Sequence, residues 1–196
     1  MPGKADATRQ RLLDAALEEF AEYGIAGARV DRVAAVAGTN KAQIYHYFGS
    51  KDQLFDAVFN RIIERIVRET PIDPRDLPGY AAALARGYEA HPQVMRLATW
   101  QRLERADDPP APLAVESMTH KAEAIAKAQA EGVLPADFPP GVLLSLVLHL
   151  ASVWTAVSPE SAALVDSTTP DERARYVEAA VRRLLSGGPG DTEGRA

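Results

Sequence analysis

Apolar residues recur three and four positions apart through nearly the whole chain, and no stretch alternates convincingly as a half-buried strand would. A chain patterned this way can bury its apolar stripes only by packing helix on helix, so the expected fold class is all-α. Glycine and proline cut the pattern into helix-sized pieces. The first spans Thr8 to Tyr23, with Leu13, Ala16, Leu17 and Phe20 on one side and Gly24 as the stop. A short piece carries Val30, Val33, Ala34 and Ala37 and closes at Gly38. The third starts at Asn40, whose side chain suits an N-cap, with Gln43 three residues on as a capping-box partner. It turns Ile44 and Phe48 inward. Ser50 and Gln53 repeat that box ahead of a long helix to Glu69, striped by Leu54, Phe55, Val58, Phe59, Ile62, Ile63, Ile66 and Val67.

Pro71, Pro74 and Pro78 then mark a linker. Further helices are predicted over Gly79–Ala90, Pro92–Arg105, Pro112–Gly132, Pro140–Val157 and Pro170–Ser186, four of them opening on a proline whose missing N–H costs nothing in the first turn. "TPDE" at Thr169–Glu172 joins a threonine cap, a proline start and a glutamate at the third helical position. The expected organisation is an N-terminal three-helix unit over residues 1–50, a connecting helix over 51–69, a second domain over 70–186 and a disordered tail, "GGPGDTEGRA", over 187–196.

The net charge of −5 by itself argues against a polyanionic partner, but its distribution matters more than its total. Residues 1–51 hold 7 basic and 6 acidic side chains, a balance of +1, whereas the remainder holds 15 and 21, a balance of −6. The absence of cysteine excludes disulfides, thiolate metal sites and thiol redox switching. "MPGKAD" leads into a polar amphipathic segment without the apolar core of a secretion signal, which points to the cytoplasm. The run "GVLLSLVLHLASVWTAV", Gly141–Val157, is slightly short for a membrane span, carries His149, Ser145 and Ser152, and lacks flanking lysine or arginine. A helix buried on most sides is the expectation.

"GTNKAQIYHYFGSK", residues 38–51, mixes rings, amides and cations directly after a glycine. Two short helices joined by a tight turn need a small residue where they cross, a residue able to turn left-handed, and an apolar anchor on the second helix. Ala34, Gly38 and Ile44 meet those needs, with Val33 as added core. The outer face of the second helix then presents Lys41, Gln43, Tyr45 and His46, side chains that can enter a DNA major groove. On spacing alone, a generic helical hairpin with a solvated polar face remains the alternative.

Residues 8–58, "TRQRLLDAALEEFAEYGIAGARVDRVAAVAGTNKAQIYHYFGSKDQLFDAV", resemble the N-terminal domain of the tetracycline-repressor (TetR) family through the "AA…F…YG", "A…AG" and "IYHYFGSKDQL" elements. The resemblance implies a homodimer on a palindromic operator, usually a repressor, with a C-terminal domain that binds a small molecule and releases the double-stranded DNA. It implies a recognition helix from Lys41 to Phe48, with Lys41, Ala42, Gln43 and His46 nearest base edges and Tyr45 and Tyr47 on phosphates and sugars. Lys51 would meet phosphate at the next helix start, where the helix N-terminus also favours an anion. Thr39, Asn40 and Arg29 complete the expected contact set. Thr39 departs from the apolar residue common after the turn glycine. Arg29 replaces a small hydroxyl residue and can reach phosphate with a full charge.

The C-terminal part is less explicit. Tyr80, Tyr88, Met95, Trp100 and Met118 could line a cavity for an apolar or aromatic effector, though the same spacing also describes plain core. No cluster of cations there selects an anionic ligand. Leu146, Leu150 and Val153, with Val177, Val181 and Leu184, are expected to form a four-helix dimer interface, the alternative being an internal role. His91, His120 and His149 lack metal-ligand spacing, so no metal or cofactor is expected, and no nucleophile motif, phosphate loop or paired-carboxylate constellation suggests an enzyme. Rival readings are an activator of the same architecture, or a helical carrier or enzyme without a DNA role.

Overall fold

The structure is a computed structural model, and it describes residues 3–186. The expected disordered tail, residues 187–196, lies outside the described residues. Among the described residues there are ten α-helices and no strand: α1 (Lys4–Gly27), α2 (Val30–Val36), α3 (Lys41–Phe48), α4 (Lys51–Glu69), α5 (Leu77–Ala90), α6 (Pro92–Glu104), α7 (Pro112–Ala130), α8 (Pro140–Ser152), α9 (Pro159–Val165) and α10 (Pro170–Ser186). The all-α expectation holds. Short 3₁₀ turns at Pro74–Asp76 and Val153–Ala156 adjoin α5 and α8. Thus the helix expected to reach Val157 tightens after Ser152. The sequence reading missed α9, which Ser158 caps by accepting from the Ser161 N–H.

The chain packs as two compact units. Residues 3–65 together with Pro92–Ala114 form the first, and Ile66–His91 with residues 115–186 form the second. The expected second domain of 70–186 therefore meets a different packing, because α6 belongs with the first unit. Its side chains explain why. Arg96 Nε donates to the Ala21 carbonyl at 2.8 Å, and Glu104 Oε2 accepts from the Ala26 N–H at 2.7 Å. Arg105 Nη1 reaches Asp56 at 2.5 Å and Nη2 reaches Asp52 at 3.0 Å, while its guanidinium lies 4.7 Å from the Phe55 ring centre. Burial pulls down the Arg105 pKa, but hydrogen bonds to Asp56 and Asp52 outweigh that and raise it.

The core of the first unit comprises Leu12, Leu13, Ala16, Phe20, Val33, Ile44, Leu54, Phe55, Val58 and Leu97, with Phe20 and Phe55 edge to face at 5.2 Å. Each large apolar side chain buried in this way contributes about 1.5–3 kcal/mol. Gly24, the predicted stop, does break α1: at φ 72° and ψ −178° it leaves helical geometry before the chain resumes a last turn to Gly27. A side chain there would also run into Glu104 and the Trp100 ring.

The second unit packs α5 against α8 and α10 around Leu77, Tyr80, Leu84, Ile125, Leu143, Val147, Val177 and Val181. A bidentate pair ties α5 to α10: Arg173 Nε and Nη2 donate to the two Glu89 oxygens at 2.9 and 2.8 Å. The Trp154 indole adds a bond to the Arg173 carbonyl at 3.2 Å.

Candidate nucleic-acid interface

The turn between α2 and α3 follows from Ala34, Gly38 and Asn40. Gly38 adopts φ +64°, a left-handed conformation that costs other L-residues about 1–2 kcal/mol. With Gly38 turned, its N–H bonds to the Ala35 carbonyl at 3.1 Å and the Thr39 N–H reaches the Ala34 carbonyl at 2.9 Å. This double bond pattern closes α2 as a Schellman motif. Asn40 then opens α3, its Oδ1 accepting from the Gln43 N–H at 3.1 Å, as the sequence suggested. Ser50 repeats the device for α4 through the Gln53 N–H at 3.0 Å.

Periodicity does the rest. Ile44 and Phe48 are buried, and Arg9 lies over the Phe48 ring at 5.5 Å. Lys41, Ala42, Tyr45 and His46 are exposed, while Gln43, Tyr47 and Thr39 are half-buried. His46 and Tyr47 stand edge to face at 5.3 Å, which steadies two long polar-tipped side chains beside the exposed face. Lys41 pairs with Asp31 at 3.4 Å, both groups well exposed. Such a pair is worth about 0–1 kcal/mol, so a DNA base edge can take the lysine from it at little cost.

Arg29 and Lys51 have separate duties. Arg29 is exposed and precedes α2; its main-chain N–H donates to Glu19 Oε1 at 2.7 Å. Buried Glu19 also holds Arg32 at 2.6 Å, and that hydrogen bond raises the Arg32 pKa. One carboxylate thereby fixes the start of α2 and leaves the Arg29 guanidinium facing solvent. Lys51 Nζ donates to the carbonyls of Ala26 at 3.1 Å and Ala28 at 3.4 Å, at the end of α1. It also borders a hollow shared with Asp52, Asp56, Glu104 and Asp108. Two of its three protons thus serve the fold, a duty the sequence did not reveal.

The expected ligand-lining residues are divided between the two units. Tyr80 and Tyr88 join the core of the second unit, where burial raises the pKa of both phenols. Met118, on α7 of that unit, is 41% exposed. Met95 and Trp100 lie on α6 in the first unit, and the Trp100 indole donates to the Ala21 carbonyl at 3.2 Å. Trp100 is therefore a packing residue of the first unit.

The expected interface residues also divide. Val177 and Val181 are buried in their own chain, 3% and 0% exposed, leaving no surface for a partner to cover. They are core. By contrast Val142, Leu146, His149 and Val153 are all exposed and recur at helical spacing along α8 and its 3₁₀ extension. Leu150 and Leu184 are half-buried, and Tyr176 on α10 is 53% exposed. No helix among the described residues is long and apolar enough to cross a membrane.

A capped, glycine-turned helix pair exposing a cationic and aromatic second helix defines a helix-turn-helix DNA-binding protein. Comparison with known proteins agrees. Residues 12–58 match the family model described as bacterial regulatory proteins, tetR family, and residues 76–183 match that of the tetracyclin repressor-like C-terminal domain. The chain is 37% identical over 157 residues to the HTH-type transcriptional repressor SCO4008 of Streptomyces coelicolor, covering 79% of this chain and 81% of that protein. It is 26% identical over 180 residues to the HTH-type transcriptional regulator RutR of Escherichia coli K12, covering 85% and 82%. The crystal structure of SCO4942 from Streptomyces coelicolor superposes with a TM-score of 0.81 at 39% identity, covering 91% of this chain and 98% of that one. The protein belongs to the TetR family of bacterial transcriptional regulators.

Proposed function

We propose that the protein is a repressor that binds a palindromic operator as a homodimer and leaves it when a small molecule occupies its second unit. The observation that carries the DNA-binding reading is the division of α3, with Ile44 and Phe48 buried and Lys41, Ala42, Tyr45 and His46 exposed. Lys41, Gln43 and His46 read base edges from the major groove, with Ala42 at the same surface. Arg29, Tyr45 and Tyr47 hold the backbone, and Thr39, Asn40 and Lys51 supply support at the helix starts. The exposed stripe of α8 meets its copy in the dimer, with Leu146, Leu150, Val153 and Leu184 at its centre. Repression, rather than activation, is favoured by the likeness to SCO4008, which is named as a repressor.

Release by a ligand requires that the ligand bind one conformation better than the other. Its natural path is α4, which supplies Leu54, Phe55, Val58 and Ile62 to the first unit and Ile66 to the core of the second. Genomic fragments captured on the purified protein and sequenced test the proposal. The expected product is an inverted repeat whose half-sites lie about 34–36 Å apart, upstream of a promoter that is more active when the protein is absent. Recovery of unrelated fragments without an inverted repeat would remove the operator reading.

A further inference from the structure

The buried face of α7 changes character along its length. Ser117, Lys121, Ile125 and Ala128 share that face, at helical spacings of four, four and three residues. Ile125 and Ala128 pack into the core of the second unit together with Tyr80. One and two turns earlier the same face becomes polar. Lys121 is only 6% exposed: its aliphatic chain is buried, the ammonium at its tip keeps access to solvent, and no side chain among the described residues pairs with it. Ser117 Oγ is buried without a partner, and so is the hydroxyl of Tyr80, a residue 4% exposed.

Unpartnered buried polar groups such as the two hydroxyls are uncommon in folded proteins, and each costs free energy until a partner satisfies it. Among the described residues no carboxylate forms an ion pair with Lys121. Glu89 is taken up by Arg173 in a bidentate pair, and Glu172 accepts from Thr169. Burial alone pulls the Lys121 pKa below that of ordinary lysine and pushes the Tyr80 phenol up, so the phenol remains a donor at neutral pH. All three groups can donate, and among the described residues none has a protein acceptor.

We propose that Lys121, Tyr80 and Ser117 are the polar end of the effector site and select a small organic anion: an apolar or aromatic body bearing one carboxylate- or sulfonate-like group. The anion takes the ammonium as counter-ion and the two hydroxyls as hydrogen-bond donors, while the apolar residues around Ile125 and Tyr80 cover its body. This rests on the ligand-responsive reading above and adds a ligand class to it. A lone lysine went unremarked in the sequence because a search for anion sites looks for clusters of cations, whereas here burial gives one cation its effect.

The test compares two probes that differ by a single group, 8-anilinonaphthalene-1-sulfonate and the uncharged N-phenyl-1-naphthylamine, titrated by fluorescence into the full chain. Lys121→Met should weaken the sulfonate by about tenfold or more, with a smaller loss for Tyr80→Phe, and leave the neutral amine within about twofold. Without any probe, Lys121→Met should melt at or above the parent, because a partly desolvated lysine without a counter-ion has been replaced by an apolar chain of similar length. Equal losses for both probes, or a lower melting point in Lys121→Met, would overturn the proposal. Binding of the amine alone by the parent would overturn the choice of an anion while sparing the ligand-responsive reading. Binding of neither probe would remove the apolar pocket on which both rest.

Discussion

The indole Nε1 of Trp100 donates to the main-chain carbonyl of Ala21 at 3.2 Å, and Arg96 Nε uses the same carbonyl at 2.8 Å. That carbonyl lies in the turn of α1 just before Gly24, where the helix leaves regular geometry. The bend and the α6 docking site are thus one feature of the first unit.

Trp100→Ala should therefore destabilise the first unit by about 2–4 kcal/mol, near the lower part of the range for large aromatic truncations because the ring is half-buried. Gly24→Ala should also destabilise it, since a methyl group would meet both a left-handed φ and the Trp100 ring. Urea titration of each variant measures the effect. A Trp100→Ala chain within about 0.5 kcal/mol of the parent would show that the indole bond is incidental.

Contacts to DNA should separate by salt dependence. Arg29→Ala should weaken binding to every sequence alike and flatten the plot of log affinity against log salt by about one unit per protomer. Gln43→Ala should change preference at one base pair by about 1–3 kcal/mol and leave the slope alone. Lys51→Ala should lower the melting point of the free protein, because the carbonyls of Ala26 and Ala28 lose their donor. Titrations at several salt concentrations, with melting curves of the free chains, check all three. An Arg29→Ala protein with the parental slope would exclude its phosphate contact.

What could be read in advance follows the range of the interactions. Gly38, Asn40, Ile44 and Ser50 were legible because each acts on neighbours within six residues: a left-handed turn, a cap, an anchor, a second cap. The apolar stripes of α1 and α4 were legible for the same reason. Trp100, Glu104 and Arg105 were not, since their partners Ala21, Ala26, Asp52 and Asp56 lie 49 to 79 positions away. Nothing local distinguishes an arginine that pins two helices from one that faces water. Val177 and Val181 show the complementary limit: periodicity identifies an apolar face without saying whether the same chain or a second copy covers it.

The proposed dimer can be tested on the exposed face of α8. Leu146→Glu with Val153→Glu places two carboxylates on the exposed stripe of α8, which a monomer tolerates but a dimer would have to bury unpaired. Sedimentation should show a folded monomer with weakened operator binding. Val181→Glu should instead unfold the second unit, because that side chain is fully buried in its own chain. A Leu146→Glu, Val153→Glu chain that still sediments as a dimer would place the interface elsewhere.

The start of α10 makes stability depend on acid in a defined direction. Glu172 accepts from the Thr169 N–H at 2.8 Å and the Thr169 hydroxyl at 2.9 Å, while the Thr169 hydroxyl accepts from the Glu172 N–H at 3.2 Å. The bond from the Thr169 main chain, then that from its hydroxyl, holds the Glu172 pKa below the ordinary glutamate value, with Arg175 adding to the effect. Because the folded-state value is depressed, the carboxylate stabilises the fold fully above the unfolded-state pKa, about 4.3, and the contribution fades as pH falls through the folded value. Glu172→Gln should therefore be less stable than the parent at neutral pH, and the gap should close in acid, where the parent loses its charge as well. The effect reaches the core because α10 carries buried Ala174, Val177 and Val181 directly after this cap. Melting curves of both chains across the acid range measure it. A gap of constant size from neutral pH down to pH values well below the carboxylate range would assign the role of Glu172 to its shape and not its charge.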